Sequence, residues 1–324
     1  MGIRSKIARG LAGTLLAFAL APAHADVMSL APSGSGGVLI RNLQTQGMSE
    51  SSVTVCCGSN AGTLAVASAL DRAYFITGNS SSQILQTLPY ALTTAPAGAA
   101  LPAATRFTHA HYDTQRTRIV SLAFDAGAPS IQSINPATAA TSLLKTVAPE
   151  WNSYRSGIIA YRPSTDLLYM VGRSTAQTVD RLLRFDLNSA NSPLVPVDFD
   201  LTGEVVLALA VHPTTGVVYG LSKSLSNSIT RLVRFDFTPG FAVVSLGVGN
   251  VDCCSVLVGS PAIDTGSNTL LAVTRNSAGT EPAKLRRFNL ATGVVTELGS
   301  TVSAGLFEDT NPPQFDRIFA NGFD

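Results

Sequence analysis

Five ten-residue segments of this chain align without gaps: AVASALDRAY from Ala65, HYDTQRTRIV from His111, AYRPSTDLLY from Ala160, AVHPTTGVVY from Ala210 and AIDTGSNTLL from Ala262. Their last residues fall 46, 49, 50 and 52 positions apart. Each reads as a strand, a polar turn of Ser, Thr, Asp, Gly or Pro, and a second strand. A repeat of this kind constrains the fold more than any single motif. One copy cannot bury its own apolar faces, so successive copies must stack.

A second half-repeat follows each block. RLLRFDLNSANSPL from Arg181, RLVRFDFTPGFAVV from Arg231 and KLRRFNLATGVVTEL from Lys284 share a basic-apolar-x-Arg-Phe-Asp/Asn core, then turn residues, then another apolar strand. SIQSINPATAATSLL and QILQTLPYALTT are degenerate counterparts in the two earlier repeats. Four strands in about fifty residues, repeated, are the signature of propeller blades. On these residues the chain resembles the β-propeller superfamily, in the group whose blades read like LYxV…LxRFDLxTG. The resemblance covers nearly all of the chain from Asp26 onward and implies an all-β fold without specifying a function. It departs from the quinoprotein and Trp-Asp propellers, since Trp151 is the only tryptophan. Gly36 to Val55 reads as a third-plus-fourth strand pair with no first pair before it, and Ala304 to Phe319 is placed to supply one. The expected architecture is therefore six four-stranded blades closed by the two ends; five blades with a loose tail is the alternative. The Arg-Phe-Asp/Asn triplets read as structural, with Phe between sheets and Asp or Asn opening the turn.

The N-terminus carries Arg4, Lys6 and Arg9, an apolar run from Leu11 to Leu20, and Ala23-His24-Ala25. That is the form of a secretory signal peptide cut before Asp26, and the run is too short to span a bilayer. The expected organisation is a signal peptide over 1–25, one propeller domain over 26–319 and a tail over 320–324. The tail resembles an Ile-Phe-x-x-Gly-Phe-acid ending of some exported Gram-negative proteins. Localisation is expected to be periplasmic or extracellular, with no transmembrane segment. The segment 1–25 holds three of the 22 Lys and Arg and none of the 21 Asp and Glu, so its removal moves the net charge from +1 to −2. No basic run remains to track a phosphate backbone, which argues against nucleic acid as a partner.

Register then ranks candidate sites. The first block position is Ala in four repeats and His111 in one, and a small residue there suits strands converging on an axis. THAHYD places His109, His111 and Asp113 at i, i+2 and i+4, one face of a regular strand. Two imidazoles and a carboxylate are competent to bind a ligand or metal, or to form an acid/base pair. Alternate residues of a strand lie about 7 Å apart, so a complete site needs bending or further ligands. His212 falls in a His-Pro-Thr-Thr-Gly turn, where solvent exposure is the default. Glu150, Asp198, Asp200, Glu204 and Asp252 recur in loops leading into blades and offer hard oxygen ligands for a divalent ion. Trp151 and Tyr154 lie nearby as candidate contacts for sugar or peptide. There is no Gly-x-Ser-x-Gly elbow, phosphate loop, His-Glu-x-x-His or dinucleotide fingerprint.

All four cysteines stand in two doublets, Cys56-Cys57 and Cys253-Cys254. Cys56 precedes Tyr74 by the same interval at which Cys253 precedes Leu271, so both doublets occupy one slot in different blades. Export favours oxidation, and three pairings remain open: two strained vicinal disulfides, or either of two cross-linked arrangements. A cross-link over a loop of about 200 residues would constrain the unfolded chain by roughly 5 kcal/mol. A four-thiolate metal site is a further alternative.

The expectation is a monomeric exported module that binds a protein, peptide or glycan at one face of the ring, with no cofactor. The alternatives are a hydrolase, lactonase or lyase assisted by a divalent ion such as Ca or Zn at the channel mouth, and a structural envelope component.

Overall fold

In the computed structural model, the described residues run from 26 to 307 with breaks in several connecting segments; 1–25 and 308–324 lie outside them. The chain is an all-β propeller, its strands gathered into antiparallel sheets of four or five segments. Five sheets follow the repeats in sequence. Blade I holds Ser59–Ala67, Arg72–Asn79, Ser82–Pro89 and Ala97–Ala100. In blade II the innermost strand is split into Thr105–Phe107 and His111–Asp113, followed by Arg118–Asp125, Ala128–Ile134 and Thr141–Thr146. Blade III holds Ser153–Arg162, Leu167–Arg173, Arg181–Asp186 and Val197–Asp200; blade IV holds Glu204–Val211, Val218–Ser224, Thr230–Asp236 and Ala242–Ser245. Blade V is again split at its start, Val256–Leu257 and Ala262–Asp264, before Thr269–Arg275, Lys284–Asn289 and Val295–Glu297.

The repeat alignment is a structural register. Ala65 pairs with Tyr74, His111 with Val120, Ala160 with Tyr169, Ala210 with Tyr219 and Ala262 with Leu271. The seventh block residue, Asp71, Thr117, Asp166, Gly216 or Asn268, always takes a left-handed conformation, φ 49° to 69°. That position turns the chain back, and it holds Asp, Asn or Gly in four of the five cases, as the left-handed region prefers. The third-strand triplets behave as their recurrence implies. Phe185, Phe235 and Phe288 are buried. Asp186, Asp236 and Asn289 each open a turn, accepting a backbone N–H from Asn188 (3.0 Å), Thr238 (3.0 Å) and Ala291 (2.9 Å).

The core lies between blades. Val120, Leu122 and Ile131 of blade II pack with Ile159, Tyr161 and Leu168 of blade III. Ala160, Tyr169 and Leu182 of blade III meet Leu209, Val218 and Phe235 of blade IV, and the I–II and IV–V seams are built alike. Burial at roughly 25 cal/mol per Å² makes these seams the main source of stability.

The two ends form a composite sheet in the order Leu306–Phe307, Asp26–Pro32, Val38–Gln44, Glu50–Val55. One expectation is corrected here. A strand does precede Val38, so the N-terminal end supplies three strands rather than two. Among the described residues the C-terminal end supplies the short strand Leu306–Phe307, with Ser29 opposite Phe307 and Leu30 opposite Leu306, and the rest of the expected 304–319 segment lies outside them. The contiguous repeats therefore form five blades, the alternative weighed above, and the expected count of six is not supported. The C-terminal IFANGFD lies outside the described residues.

One seam is joined by a side chain acting as backbone. Buried Gln83, opening the third strand of blade I, donates from Nε2 to the Phe107 carbonyl (3.1 Å) and accepts the Phe107 N–H at Oε1 (2.8 Å). Gln83→Leu leaves two buried backbone groups unpaired and is expected to destabilise by about 2–4 kcal/mol. A lower urea midpoint at unchanged slope would register the loss; a midpoint equal to wild type would contradict it.

Candidate functional site

The split in the innermost strand of blade II decides where its histidines go. Phe107 pairs with Ala123 and His111 with Val120. Four steps on one strand therefore match three on the other, and this extra residue breaks the alternation that would set His109 on the face of His111 and Asp113. His109 is buried, its Nδ1 3.1 Å from the Thr108 hydroxyl, and its carbonyl accepts the Ser121 hydroxyl. Burial lowers its pKa to about 3, with a smaller push from His111; burial alone lowers His111 to about 4. Both imidazoles are neutral at ordinary pH. His111 is partly buried, its ring 6.5 Å from that of Tyr161.

Asp113 is engaged elsewhere. Its Oδ1 accepts the backbone N–H groups of Gln115 (3.1 Å) and Arg116 (3.2 Å), closing the turn. Its Oδ2 accepts Arg118 Nε (3.0 Å), Arg116 Nη1 (3.3 Å) and the Tyr161 hydroxyl (2.9 Å) of blade III. Asp166, also in blade III, takes Arg118 Nη2 at 2.7 Å and the same hydroxyl at 2.6 Å, while Arg116 Nε lies 3.6 Å from its second oxygen. Two carboxylates and two guanidiniums balance, so the cluster is a neutral staple across the II–III seam, with both carboxylates buried, Arg118 partly buried and Arg116 at the surface. Burial first, then the bond to Asp166, raises the Tyr161 pKa. With every oxygen of Asp113 occupied, the arrangement suits holding blades together better than proton transfer.

The remaining candidates are dispersed. His212 is buried rather than exposed, and its Nδ1 accepts the N–H groups of Thr214 and Thr215, both at 3.2 Å. Asp264 Oδ1 caps the corresponding turn of blade V through Gly266 (3.0 Å) and Ser267 (3.3 Å). The third block position is thus a turn-capping slot, filled by Asp113, His212 or Asp264. The acceptor role and burial both favour the neutral ring, and burial lowers its pKa. Asp198 and Asp200 lie 2.8 and 3.6 Å from Arg181, and Glu204 pairs with Arg231 while accepting the Ser222 hydroxyl at 2.5 Å. Among the described residues no group of three or more His, Cys, Asp or Glu is arranged to hold a metal ion. Tyr154 stands opposite Gly172 in the innermost strand of blade III, with its side chain outside the described residues. Glu150, Trp151, Asp252, Cys56, Cys57 and Cys253 also lie outside them. Cys254 is buried and disulfide-bonded.

Arg118, Tyr161 and Asp166 were not singled out by sequence. The available signal was the repeat itself: Tyr161 holds the second block position one blade after Tyr112, which puts it across the seam from Asp113.

No family model and no curated protein matches the chain. Solved structures do. TolB from Acinetobacter baumannii superposes with a TM-score of 0.51 at 13% identity, over 86% of this chain and 69% of that one. An oligogalacturonate lyase in complex with manganese gives 0.55 at 14%, over 84% and 77%. A chain of the nidogen/laminin complex gives 0.57 at 10%, over 88% and 97%. At these identities the likeness is one of fold.

The staple is expected to matter through stability. Arg118→Met leaves the partly exposed Arg116 alone against two buried carboxylates and should cost about 3 kcal/mol; Tyr161→Phe should cost about 1–2 kcal/mol. Denaturant melts of both variants check this, and two wild-type midpoints would refute the staple.

Proposed function

We propose that the chain is an exported β-propeller that binds a protein or peptide at one face of its ring, with the composite sheet closing that ring. The observation that carries this reading is the commitment of Asp113 and His212 to structure: Asp113 accepts four hydrogen bonds from backbone and arginine groups and shares the Tyr161 hydroxyl with Asp166, and His212 caps a turn. What remains for function is surface. The nidogen/laminin complex supports the reading by analogy of fold, as a propeller-like chain seen with a protein partner. Export rests on the basic, apolar and Ala-x-Ala pattern of residues 1–25. Contact between Thr269–Arg275 of blade V and Leu306–Phe307 supports closure. The doublets fit one end of the ring, where Cys254 and its disulfide would stiffen the loops leading into the innermost strands.

The manganese-bound lyase makes a metal-assisted reaction the comparison to exclude. Purified chain beginning at Asp26 is expected to capture a defined protein or peptide in an array that also displays glycans, and to retain substoichiometric metal when prepared without chelator. A full equivalent of divalent metal, together with turnover of a polyuronate or lactone that His111→Ala abolishes, would overturn the binding-module reading.

A further inference from the structure

Arg162 and Arg184 share one seam of the ring. Both lie on the face of blade III that meets blade IV, on either side of Tyr169: Ala160 and Arg184 each pair with Tyr169, and Arg162 ends the strand that Ala160 belongs to. The Arg162 guanidinium lies against Gly216, where any Cβ would collide with it, and its Nε donates to Ser164 at 3.2 Å. The Arg184 guanidinium sits 5.5 Å from the ring centre of Phe199 and 5.7 Å from that of Phe237. Neither forms an ion pair with a described residue, nor do Arg234 and Arg287, which hold the Arg184 position in the triplets of blades IV and V; what distinguishes this seam is the ring cluster beside the two cations. Asp186, the nearest acid on this face by register, is exposed and turned to the N–H of Asn188. Asp236 of blade IV is likewise held by Thr238.

Around the two cations is a cluster of partly buried rings. Phe237 lies 5.3 Å from Tyr169, 5.0 Å from Phe199 and 5.8 Å from Phe241, and Phe199 and Phe241 are 4.7 Å apart. Val197, opposite Arg184, is 49% exposed. Half-buried cations without a carboxylate, beside apolar rings, are complementary to an acid flanked by apolar groups. Phe237 is tilted or edge-on to its neighbours and Phe241 lies parallel to Phe235, so the rings form an apolar cluster beside the two cations.

Resting on the binding-module reading, we infer that the III–IV seam, on the ring face carrying the turns 163–166 and 236–240, docks an acidic peptide segment of a partner protein. A peptide carboxylate lies between Arg162 and Arg184, and an adjacent aliphatic side chain covers Phe237 and Phe241. Anisotropy of a dye-labelled peptide of alternating Glu and Leu, titrated with the chain from Asp26, tests this. Saturable binding that weakens with salt is expected, along with at least about a ten-fold loss in Arg184→Gln, about 1.4 kcal/mol. Arg184→Lys, which keeps the charge but loses the planar fork, should bind more weakly than wild type and serves if the Gln variant does not fold. Unchanged binding in these variants overturns the site while leaving the module reading intact. Preference for oligogalacturonate over the peptide overturns the peptide assignment. Failure to bind either probe overturns this site too, and failure across the wider protein and peptide array overturns the module reading itself.

Discussion

A blade of this propeller is a sheet with two apolar faces and no core of its own. Burial of those faces against the neighbours before and after is the constraint on which everything else depends, because an isolated sheet would leave Phe185 or Phe288 in water. The seam clusters join successive blades at I–II, II–III, III–IV and IV–V. The small first block residues follow from the same constraint: Ala65, Ala160, Ala210 and Ala262 are all buried where innermost strands converge.

Apolar seams are non-directional, and polar side chains supply the register across them. Gln83 ties blade I to the backbone of blade II. Arg118 and Tyr161 tie blade II to blade III through Asp113 and Asp166. Each staple is buried or half-buried, so each is stabilising only while its partners are complete. The chemistry that looked reactive in sequence is largely spent in this way.

Much of the fold was legible because a repeat encodes it several times over. The block register, the turn positions and the Phe burial of the triplets all follow from aligning five copies. What a single chain does not announce is local irregularity. The extra residue before His111 has no compositional mark, yet it breaks the alternation that grouped His109 with His111 and Asp113. His212 was legible in principle, since its block slot is the one that Asp113 and Asp264 fill, but a histidine acting as an Asx-type cap is unusual enough to be read as exposed.

The central claim is a ring whose two chain ends meet in one sheet. Hydrogen exchange of amides in residues 26–32, compared between the chain ending at 324 and one ending at 303, tests it most directly. If closure is real, removing Leu306–Phe307 exposes the edge of Asp26–Pro32 and its protection falls, together with that of Thr269–Arg275, which contacts the closing strand. Equal exchange in the two chains would contradict closure.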